Sequence, residues 1–587
     1  MASGILGTAV SGLMAFQRSI ETTSHNIANV NTEGFSRQRV ESVASLPEYS
    51  GGGYIGTGVE VSNISRSYDQ FISAQLRSST SAFGDVDSFK AYAAQIDNLL
   101  ADPSTGMDPA IQSFFNSVND VANDPSSIAA REVMLIEGDS LTHRFGMISH
   151  RFAELKGQVN SDLKSMTETA NSYTLAIADL NKRIAADIGR ANGQQQPNDL
   201  LDERDKIVNK LAGLVDVSVI PQANGMVSVL MSNGLPLVMD TQASALGIKA
   251  NDFDPTQLEV TFTDVKGQEQ VITDRIKGGK IAGTLRFRAE ILDPAQQKLG
   301  AVAAGIAMEF NALHRGQVDG LGSLSGGFDL DGNLGVDFFK FNGAEIPTSD
   351  VSVTPSAATL SVKFSTMGAD SANLDTSDYL LKYDGADYTL TRLSDNMAMT
   401  LSISPSPLFP APYSLTPSNA GDKLPGITLE LDQYLATGEQ FFIRPTYQAA
   451  SNLAMNITDP RKIAAATNLD TDGVTVIAGS MPGDNRNALS LAGLANNTVM
   501  FGGTASFQES YGQIVAKVGG LTHAANISAD AQQSLLNRAT EAQSNLSGVN
   551  LDEEAANLIK FQQSYQAAAQ AIATASTLFD TLIGAVR

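Results

Sequence analysis

Apolar residues return at every seventh position along the end of the chain: Leu551, Leu558, Tyr565, Ile572, Phe579 and Val586, with Phe561, Ala568, Ala575 and Leu582 three places further on. A sustained 3.5-residue repeat predicts a coiled-coil helix. Asn550 stands where an N-cap is needed, and Glu553 is spaced to reach back to it. Asp552, Glu553 and Glu554 put negative charge at the positive end of the helix dipole. About 36 residues rising about 1.5 Å each make a rod of roughly 54 Å. The first thirty residues carry the same pattern, with Leu6, Leu13, Ile20 and Ile27 on one heptad position and Ala9, Phe16, Thr23 and Val30 on the other. Periodicity alone fits an ordinary core helix equally well. Position decides for a helix that seeks a helical partner, because chain ends are normally the least ordered parts of a domain.

Between the ends the period changes twice. Asn29 to Gly34 stops the first helix, and short extended pieces follow around Phe35 to Glu41 and Val59 to Ile64. Residues from Tyr68 to Leu214 read as long helices, interrupted at Gln194 to Asn198. At Val215 the alternation becomes two, with hairpin turns at Asn224-Gly225 and Asn233-Gly234, a dipeptide suited to turns whose two central residues both take positive φ. A helix is expected over Pro294 to His314, and a Ser-, Thr-, Asp- and Pro-rich β segment with a hairpin at Asp384-Gly385 fills residues 346–439. Helices return at Arg461 to Thr467, Ala488 to Leu494 and Ala505 to Asn545. The expected architecture is α+β and multidomain, running out and back. Residues 1–66 with 547–587 form a terminal coiled-coil domain, 67–214 with 505–546 a helical domain, 215–345 with 440–504 a mixed β domain, and 346–439 an outer β insert.

The 587 residues exceed what one core serves, and 42% apolar content is ample for several. A net charge of −24 offers no basic face for nucleic acid or anionic membrane, and no run of about 18 apolar residues is present to span a bilayer. The first seventeen residues are uncharged but lack a basic leader, and their heptads continue past Arg18 and Glu21, which reads as a mature helix and not a cleaved signal.

The search for chemistry returns little. Cysteine is absent, and the five histidines hold no H-E-x-x-H. Gly51, Gly53 and Gly56 fit G-x-G-x-x-G, but the residues that follow read as strand and not helix, so no dinucleotide site is expected. Asp329, Asp331 and Asn333 open a calcium-loop pattern, in which Leu334 and Lys340 then replace the required glycine and glutamate. No catalytic, cofactor or metal residue is assigned.

Two stretches carry a family resemblance. Asn26-Ile27-Ala28-Asn29-Val30-Asn31-Thr32-Glu33-Gly34-Phe35 resembles the N-terminal signature of bacterial flagellar rod, hook and hook-associated proteins. Ser547-Gly548-Val549-Asn550-Leu551-Asp552-Glu553-Glu554-Ala555-Ala556-Asn557-Leu558, with Phe561-Gln562-Gln563-Ser564-Tyr565, resembles their C-terminal one. Gly53-Tyr54-Ile55-Gly56-Thr57-Gly58-Val59, Tyr68-Asp69-Gln70-Phe71, the two Asn-Gly turns and Asp470 to Leu494 are more narrowly similar to the hook-associated proteins of the hook–filament junction. The resemblance covers residues 1 to about 345 and about 440 to 587.

It implies a structural adaptor that leaves the cytoplasm unfolded through the flagellar type III exporter and forms a ring with copies of itself. Its terminal helices would pack in the inner tube, stacked on hook protein below and on flagellin or a second junction protein above. A cytoplasmic chaperone would hold the C-terminal helix before export, on the face bearing Leu558, Phe561, Tyr565, Ile572, Phe579 and Leu582. Leu6, Leu13, Phe16, Ile20, Ile27 and Leu551 complete the expected assembly interface, and Asn26, Asn29, Asn31, Gly34 and Phe35 the signature. A surface protein whose insert acts as adhesin or enzyme is the alternative. In either reading, order in the terminal helices is expected to come from packing against neighbouring copies.

Overall fold

The computed structural model describes residues 2–49, 53–191, 195–318, 324–341, 358–365, 368–405, 412–419, 421–467 and 483–586. The chain begins with α1 (Ala2–Ala28). Four short strands follow: β1 (Gln38–Ala44), β2 (Glu48–Tyr49), β3 (Tyr54–Ile55) and β4 (Val59–Arg66). β1 and β4 form an antiparallel ribbon with a bulge at Glu41/Ser42, and β2 pairs with β3 as a small hairpin. The chain after Gly56 thus enters a strand; Gly51 lies outside the described residues.

The helical run is α2 (Gln70–Ala101), α3 (Asp108–Asn123), α4 (Ile128–Arg190) and α5 (Asn198–Leu214). Side-chain caps start two of them. Asp69 accepts from the amides of Phe71 and Ile72, and Ser127 from that of Ala130. α4 is 63 residues long and buries one stripe from Met134 through Phe152 and Leu163 to Ile184. α10 (Phe507–Ser547) returns beside α2 and begins with a complete capping box between Ser506 and Glu509.

Strands β5 (Val217–Pro221), β6 (Val227–Met231), β7 (Pro236–Met239) and β8 (Gln242–Ala243) form one antiparallel sheet, and β9 (Ala245–Ala250), β10 (Leu258–Thr263) and β11 (Glu269–Val271) another. The Asn-Gly turns fall where expected, but only their glycines take positive φ. Asn224 and Asn233 instead accept the amides of Met226 and Leu235 through their side chains, closing Asx turns. The helix expected from Pro294 starts earlier, as α6 (Gly279–Phe287), one π turn (Arg288–Leu292) and α7 (Asp293–His314).

β12 (Gly316–Val318), β13 (Leu324–Phe328) and β14 (Phe339–Phe341) precede the outer β segment. There seven antiparallel strands form one sheet in the order β15-β20-β19-β18-β17-β16-β21, from β15 (Leu360–Phe364) to β21 (Gln440–Ile443). Its intermediate strands are β16 (Tyr379–Tyr383), β17 (Tyr388–Arg392), β18 (Met397–Pro405), β19 (Tyr413–Pro417) and β20 (Ile427–Leu431). This sheet has its own core around Val362, Leu381, Leu390, Leu429 and Phe441.

The helix expected at Arg461 to Thr467 is not formed. Pro460–Lys462 makes a single 3-10 turn, Arg461 and Lys462 reach Asp331 and Asp329, and β23 (Ala466–Thr467) pairs with the end of β13. Those ion pairs and that ladder take the side chains and backbone groups a helix would need. Asp329 and Asp331, the candidate calcium positions, therefore face cations of the same chain. α8 (Ala449–Asn452), β22 (Leu453–Met455) and α9 (Arg486–Gly493) complete the body, and α11 (Leu551–Val586) ends the chain. The largest core runs continuously from Phe89 through Phe152, Phe262 and Phe310 to Tyr511, so the helices and the two inner sheets share one interior.

Candidate assembly site at the paired terminal helices

α11 packs along α1. Its seam turns inward as the heptads require: Leu558, Phe561, Tyr565 and Ile572 are half-buried and Ala575 is buried, while Leu551 and Phe579 remain 50% and 52% exposed. Leu582 lies outside the described side chains. On α1 the residues shut off from water are Ala15, Ser19, Thr22, Thr23 and Asn26. Leu13, Phe16, Ile20 and Ile27 flank that stripe half-buried, and Leu6 is exposed. The residues fully enclosed within one chain are thus small or polar, and most large apolar side chains of both helices keep an open edge.

Near the start of α11 the seam is polar. Glu554 falls on a heptad position where a hydrophobic residue is expected, with its side chain 2% exposed. Its carboxylate accepts from Arg37 Nε at 2.7 Å and from Asn26 Nδ2 at 3.2 Å. Asn26 also brackets β1, donating to the Gln38 carbonyl and accepting its amide, both at 2.9 Å. The Arg37 guanidinium binds Glu553 on its outer side, and the Arg37 amide donates to the Ser547 carbonyl at 2.8 Å. Hydrogen bonding to Glu553 raises the Arg37 pKa, and the same bond holds Glu553 below the usual carboxylate range. Glu553 is thereby bonded to Arg37 on a neighbouring element. Asn550 caps α11 through its own side chain, accepting the amides of Asp552 and Glu553.

The signature around Asn26 shapes this corner. Asn29 Nδ2 donates to the His25 carbonyl at the end of α1, and Phe35 sets its ring edge-on to His25 at 5.4 Å. Gly34 takes φ +84°, and a Cβ there would press on Lys206 at 3.2 Å. Asn31 is exposed. A second group of ion pairs anchors the corner to the helical body: Arg66 reaches Asp202 and Asp205 of α5 at 2.7 Å each, and the Ser36 amide donates to Asp202 at 2.7 Å. The sequence signal for the buried node was a glutamate standing in an apolar register, and reading the heptads for their apolar members alone passed over it.

Among the described residues no cluster of three or more His, Cys, Asp or Glu could hold a metal ion, and no helix is long and apolar enough to cross a membrane. What the geometry defines is a helical pair fastened at its base and open along its sides.

Such ends define a class. Residues 6–35 match the family described as flagella basal body rod protein, and residues 536–585 match the C-terminal family of flagellar basal body rod FlgEFG proteins. This is an axial protein of the bacterial flagellum. Residues 93–339 match the helical domain of flagellar hook-associated protein FlgK, and residues 349–406 a D2-like domain of flagellar hook-associated protein 1. The chain is 32% identical to flagellar hook-associated protein 1 of Salmonella typhimurium and 30% identical to that of Escherichia coli, each over 99% of both chains. A solved structure of the flagellar hook junction protein FlgK from Burkholderia pseudomallei is similar in fold, with a TM-score of 0.65 and 25% identity over 81% of this chain and 100% of that one. The chain belongs to the flagellar hook-associated protein 1 family, a family of structural proteins.

Proposed function

We propose that this chain is the structural adaptor between hook and filament, working as a ring of identical subunits whose terminal helices line the axial tube. The observation that carries the reading is the α1/α11 pair: fastened at Asn26, Arg37 and Glu554, it still presents Leu6, Leu551 and Phe579 to solvent. Leu6, Leu13, Phe16, Ile20 and Ile27 on α1, with Leu551, Leu558, Phe561, Tyr565, Ile572, Phe579 and Leu582 on α11, are the residues proposed to pack against neighbours. Burial between copies supplies stabilisation that a lone subunit lacks, so the pair is expected to open readily in the monomer and to become firmly ordered on assembly.

The hook protein is the proposed partner below, and flagellin or a second junction protein the partner above. Before assembly, the apolar face of α11 is the surface a cytoplasmic chaperone would cover. Passage through the flagellar type III exporter without a cleaved signal would place the subunit outside the cell, and no enzymatic role is assigned. The fourfold division proposed from the pattern puts residues 346–439 outermost. Deleting residues 558–587 tests the reading: a soluble, folded middle that no longer attaches filaments is expected, and a deletion strain that retains its filaments refutes it.

A further inference from the structure

The outer seven-stranded sheet returns to the body through Arg444, the residue after β21, and this crossing is a node of buried charge. Asp378 precedes β16, the strand that pairs with β21, so it stands with Arg444 at the same end of the sheet. From the body come Lys156 of α4, Asp254 between β9 and β10, and Asp293 at the start of α7. Arg444 donates from Nη1 to Asp254 at 2.7 Å, places Nε 3.2 Å from Asp378 and lies 3.5 Å over the Tyr447 ring. Lys156 donates to the same Asp254 oxygen at 2.5 Å and to the Tyr447 hydroxyl at 2.9 Å, while Gln297 of α7 donates to Asp378 at 2.8 Å. The charges do not balance. Lys156 and Arg444 match Asp254 and Asp378, and Arg288 matches Glu259 at 3.8 Å, which leaves Asp293 with no ion pair of its own. Farther along the cleft that Asp293 lines, Lys249 pairs with Asp252 and Arg286 with Asp85, and Lys277 and Asp274 add one charge of each sign.

Hydrogen bonding singles out the same residue. Asp293 Oδ1 is shut off from water and accepts no hydrogen bond. Gln296, 5% exposed, donates from Nε2 to the Tyr447 carbonyl at 3.3 Å, and its Oε1 is likewise buried with no donor. Side chains three apart on a helix are neighbours, so two buried acceptors share one side of α7 with a hydrogen for neither. We propose that Asp293 is a proton-binding switch at this joint: the outer sheet docks on the body with a proton held on Asp293 for Gln296, and the joint loosens when that proton leaves. One proton both supplies the missing donor and removes the surplus charge. Once ionised, Asp293 draws on Arg444 and Lys156, the two cations that tie the outer sheet to Asp254, and so the loss is felt at the crossing. Burial holds Asp293, and Asp378 with it, above the ordinary carboxyl value of 3.8, whereas Asp254, against the cost of burial, is held below it by Lys156 and Arg444. A carboxyl whose value is higher docked than free takes up a proton on docking. Its contribution is complete below the free value and is lost as pH rises through the docked one.

Amide hydrogen exchange on the full-length chain tests the switch. Protection factors of residues 441–447 would be measured from pH 4 to pH 8 and divided by those of Asp293→Asn at the same pH, which cancels His314 and the other carboxyls that both chains share. The ratio is expected to fall as pH rises, by up to about tenfold per pH unit, and then to level off. Amides at 140–155 on α4 should exchange more slowly throughout, so that the opening measured belongs to the joint. Asp293→Ser, which also offers an uncharged donor, should follow Asp293→Asn and not the unsubstituted chain. A ratio that stays flat from pH 4 to pH 8, one that rises with pH, or joint amides that open only together with α4 would each overturn the switch.

Discussion

Replacing Glu554 by alanine tests whether the buried node fastens the terminal helices to the body. The carboxylate accepts one hydrogen bond from Arg37 and one from Asn26, almost out of contact with water. Its loss leaves Arg37 Nε and an Asn26 amide hydrogen unpaired. A hydrogen bond to a charged group contributes about 1.5–3 kcal/mol, and stripping one partner from a fully buried pair costs about 3–5 kcal/mol. Arg37 keeps 17% of its side-chain surface in water and still binds Glu553, so the lower range applies, about 2–3 kcal/mol.

That cost raises the open population of the α1/α11 pair by about 30- to 150-fold, at about 1.4 kcal/mol per factor of ten. Native-state hydrogen exchange on the full-length monomer reads this directly, comparing amides of 15–28 and 551–575 with those of α4 as an internal reference. Arg37→Ala should open the pair further, because Glu554 is then left buried with Asn26 as its remaining donor. Glu553→Ala removes a carboxylate that stands largely in water and should move exchange little. Equal effects from Glu553→Ala and Glu554→Ala, or exchange unchanged by both, would refute the assignment.

His314 gives a pH-dependent stability. Val336 O can only accept and the Ala464 amide can only donate, so the ring is neutral with its proton on Nδ1, and burial pushes its pKa down to about 4. The folded value lies below the unfolded 6.5, so stability is full above pH 6.5 and falls as pH drops toward 4, by up to about 3 kcal/mol. Urea unfolding at pH 7.5 and 4.5 should show that loss reduced in His314→Gln; an unchanged difference contradicts it. A Cβ on Gly300 or Gly283 would run into the carbonyls of Thr446 or Asp85, whereas Gly157 on α4 faces open space. Gly300→Ala and Gly283→Ala should therefore lower unfolding free energy by about 1–3 kcal/mol, and Gly157→Ala raise it by about 0.5–1 kcal/mol, signs a urea titration checks. In the isolated monomer, exchange of α11 amides should be much faster than that of α4, and should slow on assembly; fully protected α11 amides on the monomer would argue against folding coupled to assembly.

Long, regular patterns were legible in the sequence because a single physical demand repeats along them. The heptads of α11, the long helical run that includes α4 and the hairpin turned at Asp384-Gly385 each follow from one periodicity or one turn chemistry, and all three stand in the structure. Elements whose form depends on distant partners were not legible. α6 was missed because Gly279 and Gly283 argue locally against helix; close approach to the Leu214 and Asp85 carbonyls is what those glycines permit. Arg461 to Thr467 looked helical until Asp329, Asp331 and β13 claimed its side chains and backbone. The α1 stripe shows the same limit: a repeat locates large apolar residues, but within one chain the most enclosed of the described α1 positions are Asn26, Thr23 and Ala15, none of them a large apolar residue.

The same reasoning explains why a glutamate is tolerated on a coiled-coil seam. An apolar residue at 554 would bury more surface, yet heptad seams made only of apolar side chains can slide by one repeat at little cost, and a single polar position is the usual device that fixes register. Glu554 is matched to two fixed donors, Asn26 on α1 and Arg37 beside β1, so a shift of α11 by one heptad would carry the carboxylate about 10 Å from both. In the assembly proposed above, where the remaining apolar stripes meet neighbouring copies, a slip within one chain would misplace every contact between copies. Glu554→Leu separates the two effects: apolar burial offsets part of the cost of the unpaired Arg37 and Asn26 donors, so α1 and α11 amides should exchange more slowly than in Glu554→Ala, while subunits fail to hold filaments. Normal filament attachment by that variant would show that the seam needs no polar register mark.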